Sequence, residues 1–445
     1  MGFRDDLPPS LAAIVQNGLL DAVFEDALIP LFLYDALAEV KPWGAQLGAQ
    51  SIMTRAGLLP PQSTPVTGSD ASTGNYGFEQ YSVKMDQFGY SIDTNMALSA
   101  MALASKFLED NKTLGINAAQ SLNLVAQGAL YGAYGEGTTW ATAATTSSTS
   151  LHVADAAGFT QAVAVESTSP SDSDGGLAGV AQNVVVAVSG TNTLPVTING
   201  VANTVTGVAF DSGTSGPGTL TLGTAISATS GWAVVSGIAP VQYRPNGRAS
   251  ANQVTASDLA TLSLFQSAVT RLRAMNVPPA SGGAYRAHVA AQTVDELWQD
   301  TAFRQAYTGR VDAPGAVGFT IGQNIGQGAE FMGRFSGIDW ILDNVTPTVT
   351  NQAGVQVFRP IVAGQGSLIK APFEKMADLV SQMNAGGTVQ IDMINGVARI
   401  LRSPLDRFGQ VLSSTWSWIG GYTVGTDLLT GDSAVYKRAV VLEHA

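Results

Sequence analysis

The chain has 445 residues, enough for two or three domains and a sizeable core. Charged residues are only 13% of it, against roughly 25% in a typical soluble protein. A net charge of −12 and the lack of any basic run exclude a nucleic-acid grip built on clustered Lys and Arg, and the absence of cysteine excludes disulfides and thiolate metal sites.

Hydrophobic residues make up 45% of the chain and the mean hydropathy is +0.16, so the surface left to cover is unusually apolar. A monomer of that balance risks sticky patches; a subunit that hides surface against copies of itself does not. The opening Met-Gly-Phe-Arg-Asp-Asp-Leu-Pro-Pro lacks the charged-then-apolar pattern of a signal peptide. The most apolar early stretch, 27–37, is too short to span a bilayer and carries Asp35. The expectation is a cytoplasmic, soluble, assembling protein with no membrane partner.

Residues 7–40 read as an arm with helical pieces: Leu11, Ile14 and Val15 recur at helical spacing, and a second apolar segment runs over 28–37. Pro42 and Gly44 end it. Residues 46–93 read as a hairpin arm. Its first strand is 51–55; its second is 78–93, where Tyr81, Val83 and Met85 alternate with Ser82, Lys84 and Asp86. Between them, 57–77 is a tip of about 20 residues rich in Pro, Ser, Thr and Gly, unusual inside a compact domain. Its two ordinary explanations are disorder and order gained on a neighbouring molecule, and the second is expected here.

A long helix follows within 94–137. Ala118, Leu122, Val125 and Ala129 form the stripe of one face, and Gly115 marks a bend or restart. Residues 138–245 change composition to Ser, Thr, Gly, Val and Ala with almost no charge. Short strands are expected at 183–188, 193–198, 203–208, 219–222 and 232–236, with Asn199-Gly200 as a tight hairpin turn. This is an inserted all-β module, sandwich or barrel.

Helical signals return at Thr255, where Thr255-x-x-Asp258 has the spacing of a capping box, and Leu262, Phe265, Val269 and Leu272 line one face. Pro278-Pro279 stops that helix and Gly282-Gly283 opens a loop. A strand at 285–289 and one or two short helices over 293–307 come next. Short strands are expected at 335–342, 356–363, 388–393 and 397–401, and 411–429 with 433–442 reads as a closing strand pair.

Chemistry has little to stand on. His152, His288 and His444 are far apart in sequence, and His288 sits in an apolar strand, where a structural histidine is favoured over a base or ligand. The glycines of 322–333 lack the following Lys-Ser/Thr of a phosphate loop. Asp172-x-Asp174-Gly175 lacks the later acidic ligand of a calcium loop, so a plain turn is favoured. The expectation is no catalytic residue, no cofactor and no metal.

One stretch is specific: Thr270-Arg-Leu-Arg-Ala-Met-Asn-Val-Pro-Pro-Ala-Ser-Gly-Gly-Ala-Tyr-Arg-Ala-His-Val, a helix, Pro-Pro turn, Gly-rich loop and strand. Residues 293–298 continue it as a short helix. Gly333-Arg-Phe-Ser-Gly-Ile-Asp-Trp-Ile-Leu-Asp-Asn follows, then Trp416, Trp418 and Tyr436-Lys-Arg-Ala-Val-Val-Leu-Glu at the end. In this order the segments resemble the major capsid (coat) proteins of tailed bacteriophages, the Hong Kong 97-like fold. The resemblance covers about 340 residues and leaves out the β module.

It implies an α+β fold made of an N-terminal arm (1–45), an E-loop hairpin (46–93) and a spine helix of the P-domain (94–137). An inserted all-β domain (138–245), an A-domain with P-domain segments (246–400) and C-terminal strands (401–445) complete it. It further implies self-assembly through hexamers and pentamers into an icosahedral virion shell around double-stranded DNA, built in the host cytoplasm. The net-acidic lining would limit sticking to that DNA, whose contacts are non-specific. Portal, scaffolding and decoration proteins are the implied partners, and the β module is expected to face outward. The implied contact residues at the arm are Gly57, Leu58, Leu59, Pro60, Pro61, Tyr76, Phe78 and Lys84. Some coat proteins of this fold cross-link through a lysine on the arm; for Lys84 a solvated or salt-bridging role is favoured. A decoration or tail protein is the alternative reading. A secreted β-rich adhesin would need an export signal.

Overall fold

A computed structural model describes residues 19–28, 33–42, 50–56, 78–95, 103–167, 181–280, 282–311, 331–373, 389–402, 411–428 and 434–445. Helix α1 (Leu19–Leu28) packs along the early half of α2 (Leu103–Tyr134), which is one continuous helix. Gly115 is therefore not a restart. It is the point of closest approach: a Cβ there would come 2.9 Å from the Phe24 carbonyl oxygen and 3.1 Å from the Ala27 Cβ. The buried stripe of α2 is Leu114, Ala118, Leu122, Ala126 and Leu130, one residue off the expected Val125 and Ala129, which are only half-buried. Of the apolar segment expected over 28–37, Leu28 ends α1 and Asp35–Leu37 form a short 3₁₀ turn, while residues 29–32 and Leu11, Ile14 and Val15 lie outside the described residues.

Two six-stranded sheets flank α2. The first runs Glu39–Val40, Ile369–Pro372, Val411–Thr423, Val397–Arg402, Val389–Ile394, with Asp86–Asn95 also pairing along Val411–Thr423. Trp416 and Trp418 project from this sheet onto Leu114, Ala118 and Leu122 and onto Phe24 and Leu28 of α1. The second sheet runs Gln242–Tyr243, Ala439–Leu442, Ile361–Ala363, Tyr285–Val289, Ile338–Leu342, Phe331–Phe335. The closing segment is thus no strand pair: Val411–Thr423 lies in one sheet and Ala439–Leu442 in the other.

Helices α3 (Leu262–Ala274), α4 (Ala291–Gln299) and α5 (Thr301–Val311) follow in the same region, and Phe265, Leu272 and Phe303 pack on Trp340 and Val289 of the second sheet. Thr255 and Asp258 do bond, with the Thr255 N–H donating to Asp258 Oδ2 at 2.8 Å, but they close a turn rather than cap a helix. α3 starts seven residues after Thr255, at Leu262, whose N–H donates to Asp300 Oδ2 at 2.8 Å from the far side of the α4–α5 junction.

The inserted module is a barrel. Its strands run in the order Thr138–Trp140, Ala233–Ser236, Leu194–Ile198, Val201–Phe210, Gly218–Ala228, Thr145–Val153. An antiparallel bridge between Ala141 and Val153 then joins the two ends of that order. Leu151, Leu194, Ile198, Val205, Leu220 and Val234 fill it. Asn199 (φ 47°) and Gly200 (φ 85°) make the expected two-residue hairpin, since both positions need positive φ. A two-stranded ribbon, Gln161–Ser167 with Ala181–Ala187, leaves the barrel wall. Gln242–Tyr243, inside the expected module boundary, pairs instead with Ala439–Leu442 of the second sheet.

The close crossing at Gly115 gives a prediction of opposite sign to helix propensity. Gly→Ala inside a helix ordinarily gains about 1 kcal/mol. Gly115→Ala is expected to lower the urea midpoint of the folded chain, and Gly115→Val to lower it further, because backbone of α1 must move.

Candidate inter-subunit arm and its root

The arm begins as a regular ladder. Gln50–Ala56 and Phe78–Lys84 pair antiparallel from Gln50↔Lys84 to Ala56↔Phe78. The strand expected over 78–93 is in fact two: beyond Met85, Asp86–Asn95 leaves the arm and pairs with Val411–Thr423. An isolated two-stranded hairpin is marginal in water, so what holds this one is the body beneath it, from Val83 near its base to Arg55 and Glu79 beside its last described rung.

There, three alternating positions turn inward. Val83 is buried against Ala371, and Tyr81 accepts a hydrogen bond from Lys41 Nζ at 3.1 Å. Glu79 Oε2 accepts the Leu428 N–H at 2.7 Å and the Thr426 hydroxyl at 3.3 Å. From the paired strand, Arg55 Nη1 reaches Asp427 Oδ1 at 2.6 Å and the Thr426 carbonyl at 2.8 Å, with its guanidinium over the Tyr81 ring. Arg438 Nε meets the same Asp427 carboxylate at 3.1 Å, and Lys437 Nζ donates to the Asp427 carbonyl at 2.9 Å. Residues 426–428 and 437–438 thus form a polar socket into which both arm strands plug. Burial pushes the Glu79 carboxyl above its ordinary value, and the Leu428 N–H only partly offsets it.

The implied contact residues divide cleanly. Gly57, Leu58, Leu59, Pro60, Pro61 and Tyr76 lie outside the described residues. Phe78 forms the last described rung, with Ala56. Lys84 sits at the opposite end, exposed and ion-paired with Asp86 at 3.1 Å, in keeping with the salt-bridging reading. The socket residues Arg55, Glu79 and Asp427 were not expected. The only hint in the sequence is that charges are scarce in this chain, so each one near an arm strand has a use.

The histidines are held in place rather than presented. His288 is fully buried and stacked on Tyr34 at 4.4 Å; burial, aided by the Arg286 charge, lowers its pKa to about 3. His444 is sealed between Thr293 Oγ1 at 2.7 Å and Glu296 Oε2 at 2.8 Å, where no substrate can reach it. His152 ties Thr142, next to the barrel closure, to Asp211 at 2.9 Å. Among the described residues no group of three or more metal-binding side chains comes together. No described helix is long and apolar enough to cross a membrane. Asp172 and Asp174, and the glycines of 322–330, lie outside the described residues.

No family model and no curated protein matches the chain. Solved structures do. The capsid of Ralstonia phage GP4 superposes with a TM-score of 0.52 at 12% identity, covering 94% of this chain and 90% of that one. The head structure of Helicobacter pylori bacteriophage KHP40 gives 0.46 at 8% identity, over 94% and 90% of the two chains. The capsid of Helicobacter pylori bacteriophage KHP30 gives 0.44 at 9%, over 91% and 87%. The Ralstonia correspondence fixes the architecture: the chain has an α+β fold of the Hong Kong 97-like capsid type.

Two outcomes test the socket. Arg55→Ala removes charge-assisted bonds of about 1.5–3 kcal/mol, so exchange of the 50–56 and 78–84 amides should quicken by about ten- to a hundredfold. The second concerns pH. A carboxyl whose folded pKa is raised contributes stability below its ordinary value of 4.5, lost as pH rises through the folded value. Protection factors in the arm should therefore fall as pH rises from 4.5 through the folded value and level off beyond it, and Glu79→Gln should abolish the dependence.

Proposed function

We infer that this chain is the major capsid protein of a tailed phage and self-assembles into the icosahedral shell that encloses a double-stranded DNA genome. The observation that carries the reading is the fold correspondence with the Ralstonia phage GP4 capsid across 94% of the chain. It is supported by an arm whose ladder is held by its own subunit from Val83 to Arg55. A ladder so held and leading into about 20 further residues is suited to reach a neighbour.

The surface chemistry agrees. Ile52 is 66% exposed on the arm, Tyr90 is 62% exposed on the strand that follows it, and Val40 is 60% exposed beside Lys41, which bonds the arm. Obligate interfaces bury roughly 2,000–5,000 Å² and are more apolar than ordinary surface. Closed symmetric shells repeat one such contact set around each axis.

In this reading 46–93 acts as the E-loop over an adjacent subunit, with Gly57, Leu58, Leu59, Pro60, Pro61, Tyr76, Phe78 and Lys84 at the contact. Residues 94–137 are the spine of the P-domain, 246–400 supply most of the A-domain, and the 138–245 module faces outward. Hexamers and pentamers are the intermediates, assembled in the host cytoplasm. A scaffolding protein and a portal take part, decoration proteins bind outside, and packaged DNA meets the wall without sequence preference.

The test is assembly. The purified chain, alone and co-expressed with a scaffolding candidate, is expected to give shells, tubes or five- and six-fold rings by negative-stain electron microscopy and light scattering. Deleting 57–77 should leave a folded subunit that forms none of them. A monodisperse monomer under every condition would overturn the assignment.

A further inference from the structure

The inserted barrel is gripped by the body at more than its two chain connections. At its neck a Cβ added at Gly158 would overlap the Gly137 backbone, and one added at Gly137 would come 2.9 Å from the Ala239 Cβ. Three backbone segments are therefore in direct contact there. Along its flank Trp140 packs with Ala251, Val254 and Val357, and Gln352 Nε2 bonds the Ser230 hydroxyl at 3.1 Å. A module fixed this way cannot swing freely on a linker.

From this fixed barrel projects the ribbon, Gln161–Ser167 paired with Ala181–Ala187 in seven rungs. Its base belongs to the barrel: Ala162 is buried in the barrel core, Val186 and Val188 pack on that core, and the Val188 N–H donates to the Thr160 carbonyl at 2.9 Å. Its Ala181–Ala187 strand runs against the arm strand Phe78–Lys84, with Cα atoms within 8 Å. No ladder joins them, since ribbon and arm are separate two-stranded sheets. Each is a structure of the kind that is marginal alone. Here the two lie side by side.

We propose that the inserted module is the arm's brace: its ribbon is an interaction surface whose partner is the arm of the same subunit, and it sets the direction in which the arm leaves the body. The body holds the arm from one side, at Val83, Tyr81, Glu79 and Arg55. The ribbon adds a contact from a separate, rigidly held body, the barrel. The ribbon's low charge suits the role, because Glu166 is the only charged residue in its two described strands, and apolar strands pack without desolvation cost. The proposal concerns contacts inside one subunit and does not depend on the shell reading.

The experiment is hydrogen exchange by mass spectrometry on the full chain. In one variant Val163 is joined to Val185 through Asn-Gly, which removes the outer ribbon and keeps Ala162 and Val186 in the barrel core. The 50–56 and 78–84 amides should exchange at least about tenfold faster, with the barrel strands 194–198 and 218–228 unchanged. Equal exchange in the arm would overturn the brace. If barrel protection is also lost, a second set of variants decides. The chain has no cysteine, so Gln80→Cys combined in turn with Asn183→Cys, Val184→Cys or Val185→Cys reports one bond only. At least one pair should oxidise and slow arm exchange; failure of all three to cross-link would overturn the proposal.

Discussion

One helix touches both sheets, and every other part of the subunit takes its position from that contact. At 1.5 Å per residue the 32 residues of α2 span about 48 Å. The early half, with Leu114, Ala118 and Leu122, packs on Trp416 and Trp418 of the first sheet. The late half, with Ala126, Leu130 and Tyr134, packs on Ile361, Ala363 and Val441 of the second. The arm's continuation, Asp86–Asn95, enters the first sheet just before the helix, and the barrel begins at Thr138 just after it. A stiff rod with one sheet at each half keeps the arm and the module in fixed relation.

A chain so poor in charge places its few ion pairs where position matters. Glu443 is fully buried between Arg244 at 2.5 Å and Arg359 at 2.7 Å; burial works against its charge, but the two guanidinium groups outweigh it and hold the carboxyl below its ordinary value. That cluster pins the last strand to the segments around 244 and 359. Asp35 bonds Lys370 at 2.8 Å and the Tyr422 hydroxyl at 2.5 Å, pinning the early chain to the first sheet. Such pairs add little net stability over apolar packing, yet removing one partner strands a buried charge at about 3–5 kcal/mol. Their effect is to make one arrangement much better than its neighbours. The Asp427 socket applies the same device to the arm.

Much of the plan was legible because it is local. Alternation at Tyr81 and Val83 marked the arm strand, the four-residue recurrence in α2 marked a long helix, and Asn199-Gly200 marked a hairpin through its need for positive φ. The order of the segments carried the fold. The misses are non-local. Nothing near Gly115 says that another helix's backbone passes there, so a packing glycine reads as a break. The strand after Met85 alternates like the one before it, and only its partner, far along the chain at Val411–Thr423, takes it out of the arm. Thr255 and Asp258 have capping spacing, but the cap of α3 comes from Asp300. Strands of the module at 145–153 and 161–167 were hidden by Ser and Ala, whose weak β preference is overridden by pairing in the barrel and in the ribbon.

An arm held on its own subunit that finishes its contacts on an adjacent copy of the chain can be seen by electron cryomicroscopy of assembled particles at side-chain resolution. The expected result is a closed shell in which the Arg55–Asp427 pair is intact in each subunit and residues 57–77 lie across the neighbouring one. Density for 57–77 folded back on its own subunit, or particles lacking closed symmetry, would contradict it.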